Sequence, residues 1–203
     1  MRKVVLFNMV ALDGFFAGPE GEIDWHNVDQ EFNEFAIEQL NTAGGLIFGR
    51  LTYQLMAGYW PTPAAKTDDP IVAEKMNHLP KYVFSRTLNA VDWENTHLIN
   101  GDAAVELPKL TDQVGGDLFI FGSANLASSL IQHGLIDEFR VMVNPVVLGG
   151  GRPLFENLDH HMSLKLVRAK PFASGNVLLY YRPSNSREDV RVNEAQHNVE
   201  VSV

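Results

Sequence analysis

A mixed α/β sheet with helices on its faces, ending in an antiparallel hairpin, is the fold this sequence predicts. Short runs rich in β-branched and aromatic residues are bounded by glycine and turn residues. They alternate with stretches of helical periodicity up to about residue 135, and beyond that point strand-like runs follow one another with only loops between.

The elements follow in order. KVVLFNMV (3–10) and GLIFG (45–49) have the apolar character of central strands. Between them DQEFNEFAIEQL places Phe32, Phe35, Ala36 and Leu40 on one helical stripe, with Asp29 positioned to cap its start. Further strands are expected at KYVFS (81–85), DLFIFG (117–122), DEFRVMVNPVVLG (137–149), SLKLVRAK (163–170) and NVLLYYR (176–182). Helices are expected at 51–58, 70–78, 102–113 and 123–133. The last two strands, joined by PFASG, form the hairpin. Residues 1–183 are expected to make one domain, and the polar stretch 184–203 a tail or contact arm.

Composition narrows the function. A chain of 203 residues that is 45% apolar can bury one substantial core. Its net charge of −9 and the absence of a Lys/Arg block argue against nucleic acid or an anionic membrane as partner, so any bound anion must meet a local basic site. The lack of cysteine removes disulfides, thiolate catalysis and Cys-ligated metals, and fits a reducing cytoplasm. MRKVVLFNMVAL starts like a secretory signal, but Asn8 interrupts the run and Asp13 closes it; no run reaches membrane-spanning length.

Three strand ends carry anion-binding chemistry. In IFGRLTYQLM the apolar run ends at Gly49 and Arg50 and enters a helix at once through Thr52, so free helix N–H groups and a guanidinium converge. DLFIFGSANLASSLIQ repeats the arrangement, with Gly122 and Ser123 opening a helix whose buried stripe is Leu126, Leu130 and Ile131; Gly122 permits a close approach, and Ser123 can cap the helix or donate to an oxygen. Two such turns in one sheet can grip both ends of a diphosphate, although Gly-Ser and Gly-Arg, each taken alone, also read as tight turns with a surface arginine. In YVFSRTLNA, Ser85, Arg86 and Thr87 follow directly on a strand, which suits a phosphate monoester or, equally, a polar loop. Rossmann, P-loop, nucleophile-elbow and H-E-x-x-H patterns are all missing. His160 and His161 read as loop residues, and His26, His78, His97 and His133 as solvated or capping; no metal site is expected.

Three segments together resemble the dihydrofolate reductase-like fold, and within it the reductase domain of bifunctional riboflavin-biosynthesis deaminase-reductases. They are VALDGFFAG (10–18), with Ala11 where the family usually has serine; GRLTY (49–53); and GSANLASSLIQHGLIDEFRVMVNPVVLGGGRPLF (122–155), with its D-E at 137 and 138 and its P-x-x-L-G-x-G-x-P-L-F ending. The resemblance spans about residues 2–182 and implies NADPH laid across the sheet. It places Gly49, Arg50 and Thr52 on one side of the diphosphate and Gly122, Ser123, Ala124, Asn125 and Leu126 on the other. Ser85, Arg86 and Thr87 fall at the adenosine 2′-phosphate, backbone groups of Val10 and Ala11 at the nicotinamide carboxamide, and Asp13 and Gly14 beside the reacting ring. The implied activity is hydride transfer to a small polar, partly aromatic molecule; the alternative is a nucleotide-binding module without turnover.

The substrate side is less marked. Trp25, Tyr59 and Trp60 either line it or belong to the core. Asp13 either relays a proton or caps the ALDG turn. Glu31 and Glu34 stand where a dihydrofolate reductase carries its pterin-binding carboxylate, or are the solvated face of a helix. The sequence has no deaminase-like segment with zinc ligands, so neither folate nor the riboflavin precursor is assigned. A homodimer is expected, built on residues 137–155 with Leu154 and Phe155.

Overall fold

The computed structural model describes residues 1–184. Along the chain come β1 (Val4–Ala11), β2 (Phe15–Ala17), α1 (Gln30–Thr42), β3 (Ala43–Gly49), α2 (Arg50–Tyr59), α3 (Pro63–Asp68), α4 (Pro70–His78) and β4 (Lys81–Phe84). Then follow β5 (Thr96–Ile99), α5 (Ala103–Thr111), β6 (Asp117–Phe121), α6 (Ala124–Gln132), β7 (Glu138–Asn144), β8 (Arg152–Pro153), β9 (Leu164–Pro171) and β10 (Val177–Pro183). The tail expected at 184–203 lies, beyond Ser184, outside the described residues.

Eight strands form one sheet in the order β5-β4-β3-β6-β1-β7-β10-β9, and β2 pairs with β8 in a small second sheet. The first six are parallel, which buries both faces and explains why β1 is buried along its whole length and apolar except for Asn8. β10 runs antiparallel to both β7 and β9, so the expected hairpin is present. The run expected as one strand over 137–149 stops at Asn144, because Pro145 has no N–H to continue the ladder. β2, β5, β8 and α3, each of six residues or fewer, were not expected from the sequence.

The sheet separates two cores. On one face Leu107, Leu130 and Ile131 of α5 and α6 pack on Val4, Leu6, Leu118 and Ile120. On the other, Leu40, Tyr53, Val72 and Met76 of α1, α2 and α4 pack on Val5, Leu46, Phe48 and Phe119, and Phe35 extends this layer to Phe7, Met142 and Leu178. Asp29 caps α1 as expected, its Oδ1 accepting from the Phe32 N–H at 2.8 Å. Because the central strands are parallel, all their C-terminal ends open on one edge of the sheet, where open α/β sheets hold ligands.

Candidate functional site

That edge brings the anion-binding candidates together in a row. Register pairs Gly49 with Phe84, Ile47 with Ile120, and Phe7 with Phe121. The segments therefore line up as Ser85–Thr87, Gly49–Thr52, Gly122–Leu126 and the end of β1, a span of about 15 Å across three inter-strand gaps.

The two strand-to-helix turns interlock. The Gly49 N–H donates to Ser123 Oγ (2.9 Å), the Ser123 N–H donates to Thr52 Oγ1 (3.0 Å), and the Ser123 hydroxyl donates to the Phe121 carbonyl (3.1 Å). Gly122 sits at φ +59°, and a Cβ there would meet Thr52 Oγ1 at 3.0 Å, so this position needs glycine for both conformation and space. Of the two roles open to Ser123, capping α6 is not seen: the residue is left-handed (φ +59°), and its hydroxyl donates to a carbonyl oxygen and ties the two turns together. Among the described residues α2, α4 and α6 have no side-chain cap, whereas α1, α3 and α5 are capped by Asp29, Thr62 and Asp102; of the three uncapped helices, α2 and α6 start at the strand-end edge. The first N–H groups of α2 and α6 thus stand side by side without side-chain acceptors. Arg50 opens α2, exposed, with a single 3.3 Å bond to Gln54, while Ala124 is buried and Asn125 exposed on the first turn of α6.

At β4, Ser85 is structural. Its Oγ accepts from the N–H groups of Thr87 (3.2 Å) and Leu88 (3.0 Å), shaping the turn that exposes Arg86 and Thr87. Arg86 reaches Asp102 at 3.6 Å with both side chains mostly exposed, a weak pairing that an incoming phosphate can displace.

β1 runs four residues past its pairing with β6. Alternate residues of a strand direct their backbone groups to opposite neighbours. Val4 O and Leu12 N both face the β7 side, so Met9 and Ala11 face the side that β6 has left. This divides the expected pair: Ala11 has the required direction, but the Val10 carbonyl is turned to β7 and accepts from Asn144 Nδ2 (3.3 Å). Gly14 closes the turn by donating to the Ala11 carbonyl (2.9 Å). Asp13 does not cap that turn; its Oδ2 accepts from the N–H groups of Leu148 (3.1 Å) and Gly149 (2.8 Å), bracing the loop after β7.

The aromatic candidates separate. Trp25 lies at the same edge, on the segment that enters α1, with its ring 4.5 Å from that of His26 and its Nε1 donating to the Glu22 carbonyl. Tyr59 and Trp60 end α2, nine residues on from Arg50 and so roughly 13 Å away toward the opposite edge. There Trp60 packs into the core under α4, and Asn77 donates to its carbonyl. Both stand away from the strand-end edge, and for Trp60 the core alternative holds. Of the carboxylate candidates, Glu31 pairs with Lys170 (3.3 Å) and accepts from the Ala173 N–H, and exposed Glu34 accepts from Gln30.

A buried asparagine network was not anticipated. Asn144 Oδ1 accepts from the Asn27 N–H (2.9 Å), Asn176 Nδ2 donates to the Asn27 carbonyl (2.8 Å), and Asn27 Nδ2 donates to the Ser174 carbonyl (3.1 Å). Asn144 and Asn176 are wholly buried. A polar residue inside otherwise apolar strand runs was the available signal. His26, expected to be solvated or capping, has a buried Nε2, and burial lowers its pKa to about 4. Among the described residues no His/Cys/Asp/Glu group has the arrangement to hold a metal.

Comparison with known proteins agrees with this geometry. The family described as the RibD C-terminal domain matches residues 2–178. The uncharacterized protein YyaP of Bacillus subtilis is 37% identical over 186 residues, covering 89% of this chain and 94% of that one. Among solved structures, dihydrofolate reductase from Enterococcus faecalis, complexed with NADP(H), superposes with a TM-score of 0.62 at 16% identity, covering 90% of this chain and 97% of the reductase. The diaminohydroxyphosphoribosylaminopyrimidine deaminase/5-amino-6-(5-phosphoribosylamino)uracil reductase of Thermotoga maritima superposes with a TM-score of 0.64 at 15% identity; 90% of this chain is covered and 56% of that one. The fold is thus dihydrofolate reductase-like.

Proposed function

This chain belongs to the RibD C-terminal domain family, and from that premise we propose that it is an NADPH-dependent reductase acting on a small, polar, possibly heterocyclic molecule. The observation that carries the proposal is the order of groups along the strand-end edge. Arg86 and Thr87, then the paired uncapped starts of α2 and α6, then the open side of β1 follow the order of an adenosine 2′-phosphate, a diphosphate and a nicotinamide.

NADPH, when bound, supplies the hydride. The N–H groups of α2 and α6 and the Arg50 guanidinium bind the diphosphate, with Gly49 and Gly122 keeping the approach clear of side chains. Arg86 and Thr87 read the 2′-phosphate. Ala11 orients the carboxamide by its backbone, while Asp13 positions the 145–151 loop that borders the ring. Trp25 lines the substrate side. A homodimer accompanies this reading, with half-exposed Phe155 as its contact; Leu154 is buried in the protomer and contributes nothing to such a surface. Sedimentation at micromolar concentration reads that state.

The test of function is NADPH consumption by purified protein offered a panel of reducible imines, carbonyls and pterins. Turnover with one of them is expected, with little on dihydrofolate because Glu31 and Glu34 are engaged elsewhere. Tight NADPH binding with no turnover across the panel would favour the binding module.

A further inference from the structure

Strands β7, β10 and β9 are apolar on one side and charged on the other, and the apolar side is the one left uncovered. Register fixes which residues share it: Leu6 pairs with Phe139, Phe139 with Tyr181, and Tyr181 with Leu166. Leu6, Phe139 and Tyr181 pack with α5 and α6, so this is the α5/α6 side of the sheet. Continuing by twos, the same side carries Val141 and Val143 on β7, Leu179 and Val177 on β10, and Ala169 and Pro171 on β9. The other side of these strands carries Glu138, Arg140, Arg168, Lys170 and Arg182. The core under α5 and α6 reaches Phe139 and Tyr181 and stops there: the six apolar residues belong to none of the three buried clusters among the described residues. The four on β7 and β10 are half-buried, and Ala169, Pro171 and Leu166 on β9 are exposed. Half-exposed Phe155 continues the patch, its ring 6.3 Å from that of Phe139. An apolar sheet face has to be buried against another layer, and a contiguous apolar patch left on a surface marks a contact.

We propose that this face is where a second copy of the chain packs, sheet against sheet across a two-fold axis. The inference rests on the homodimer reading above and deepens it, since that reading named Phe155 alone. Charge selects the partner. At a net charge of −9 two copies repel each other over most of their surface, and a face without charges is where they can meet without opposing like groups. A two-fold axis sets the face against its own image, so each apolar residue finds apolar neighbours, and sheets packed in this way interdigitate about 10 Å apart. The tail is a poorer occupant, because six of residues 185–203 are charged and an apolar face offers those groups no partners. Pairing of two β9 edges is disfavoured as well: Lys165, Arg168 and Lys170 lie along that strand and would bring like charges together, which leaves the face rather than the edge as the contact.

The test is sedimentation of the full chain across micromolar concentrations, for wild type and variants whose folding is checked by circular dichroism. Leu179→Lys puts a charge in the middle strand of the face. Ala169→Arg puts one at an exposed position of the edge strand, where a long side chain leaves the protomer undisturbed, and it decides the matter if Leu179→Lys fails to fold. Two-fold symmetry places each new charge in the interface twice, so each variant should weaken the dimer by about a hundredfold or more. Arg168→Ala, on the opposite side of β9, should leave it unchanged. A monomeric wild type would overturn the inference together with the homodimer reading. A dimer as tight in Ala169→Arg and folded Leu179→Lys as in wild type would overturn the assignment of this face alone, with the homodimer reading intact.

Discussion

Lys81 and Arg50 are both cations at helix ends, on opposite edges of the sheet, and they hold opposite things. Lys81 is wholly buried; its Nζ donates to the carbonyls of Met76, Asn77 and Leu79 at the C-terminal end of α4, at 2.8–2.9 Å, and lies 4.4 Å from the centre of the Trp93 ring. That is the favourable sign for a helix C-terminus, and every donor of the ammonium is used. Arg50 stands at the N-terminus of α2, where the helix dipole repels a cation, and among the described residues its guanidinium has one hydrogen bond, to Gln54. A cation in an unfavourable field beside uncapped N–H groups is explained by an anion that joins them. Pairing is complete at one edge and incomplete at the other, and under the proposed function the diphosphate completes it.

The comparison breaks most severely at Lys81. Lys81→Met would leave three carbonyls unpaired and should cost about 3 kcal/mol or more in urea unfolding, with NADPH affinity unchanged in the folded protein. Burial lowers the pKa of this lysine to about 8, below its ordinary 10.5, with Glu94 opposing the shift. Between those values the unfolded chain binds the proton and the native one does not. Wild type should therefore gain stability relative to Lys81→Met as pH rises from 8 toward 10.5.

On the ligand edge, Arg86→Ala should remove most of a tenfold to hundredfold preference for NADPH over NADH, leave NADH affinity nearly unchanged, and flatten the salt dependence of that gap. Gly122→Ala forces a Cβ against Thr52 at a positive φ and should cost about 1–2 kcal/mol in unfolding while loosening cofactor binding, because the same contact shapes the diphosphate turn. The smallest effect belongs to His26. Its folded pKa of about 4 lies below the ordinary 6.5, so its contribution is present above pH 6.5 and is lost as pH falls toward 4. Unfolding at pH 7 and pH 4.5 should show a smaller acid penalty in His26→Phe than in wild type.

These contrasts also explain what could be read from the sequence. The Asp29 cap, the Gly-Arg and Gly-Ser turns and the PFASG hairpin are local patterns, fixed within a few residues, and each was legible. The link from Asn144 to Asn27 spans 117 residues and that from Asn176 to Asn27 spans 149, so nothing near either residue announces its partner. Lys81 read as the first residue of a strand, which it is, but its burial depends on Trp93 folding over it. Tyr59 and Trp60 illustrate the converse: aromatic residues close to Arg50 in sequence are carried by a ten-residue helix toward the opposite edge of the sheet.

The claim that matters most is that the neighbouring starts of α2 and α6 hold the diphosphate of NADPH with Arg50. Calorimetric titration of NADPH into wild type and Arg50→Ala, with Glu34→Ala as control, tests it directly. Loss of one charge-assisted contact predicts binding weaker by about 1.5–3 kcal/mol in Arg50→Ala and no change in Glu34→Ala. Equal NADPH affinity for wild type and Arg50→Ala, or no binding to wild type, would contradict it.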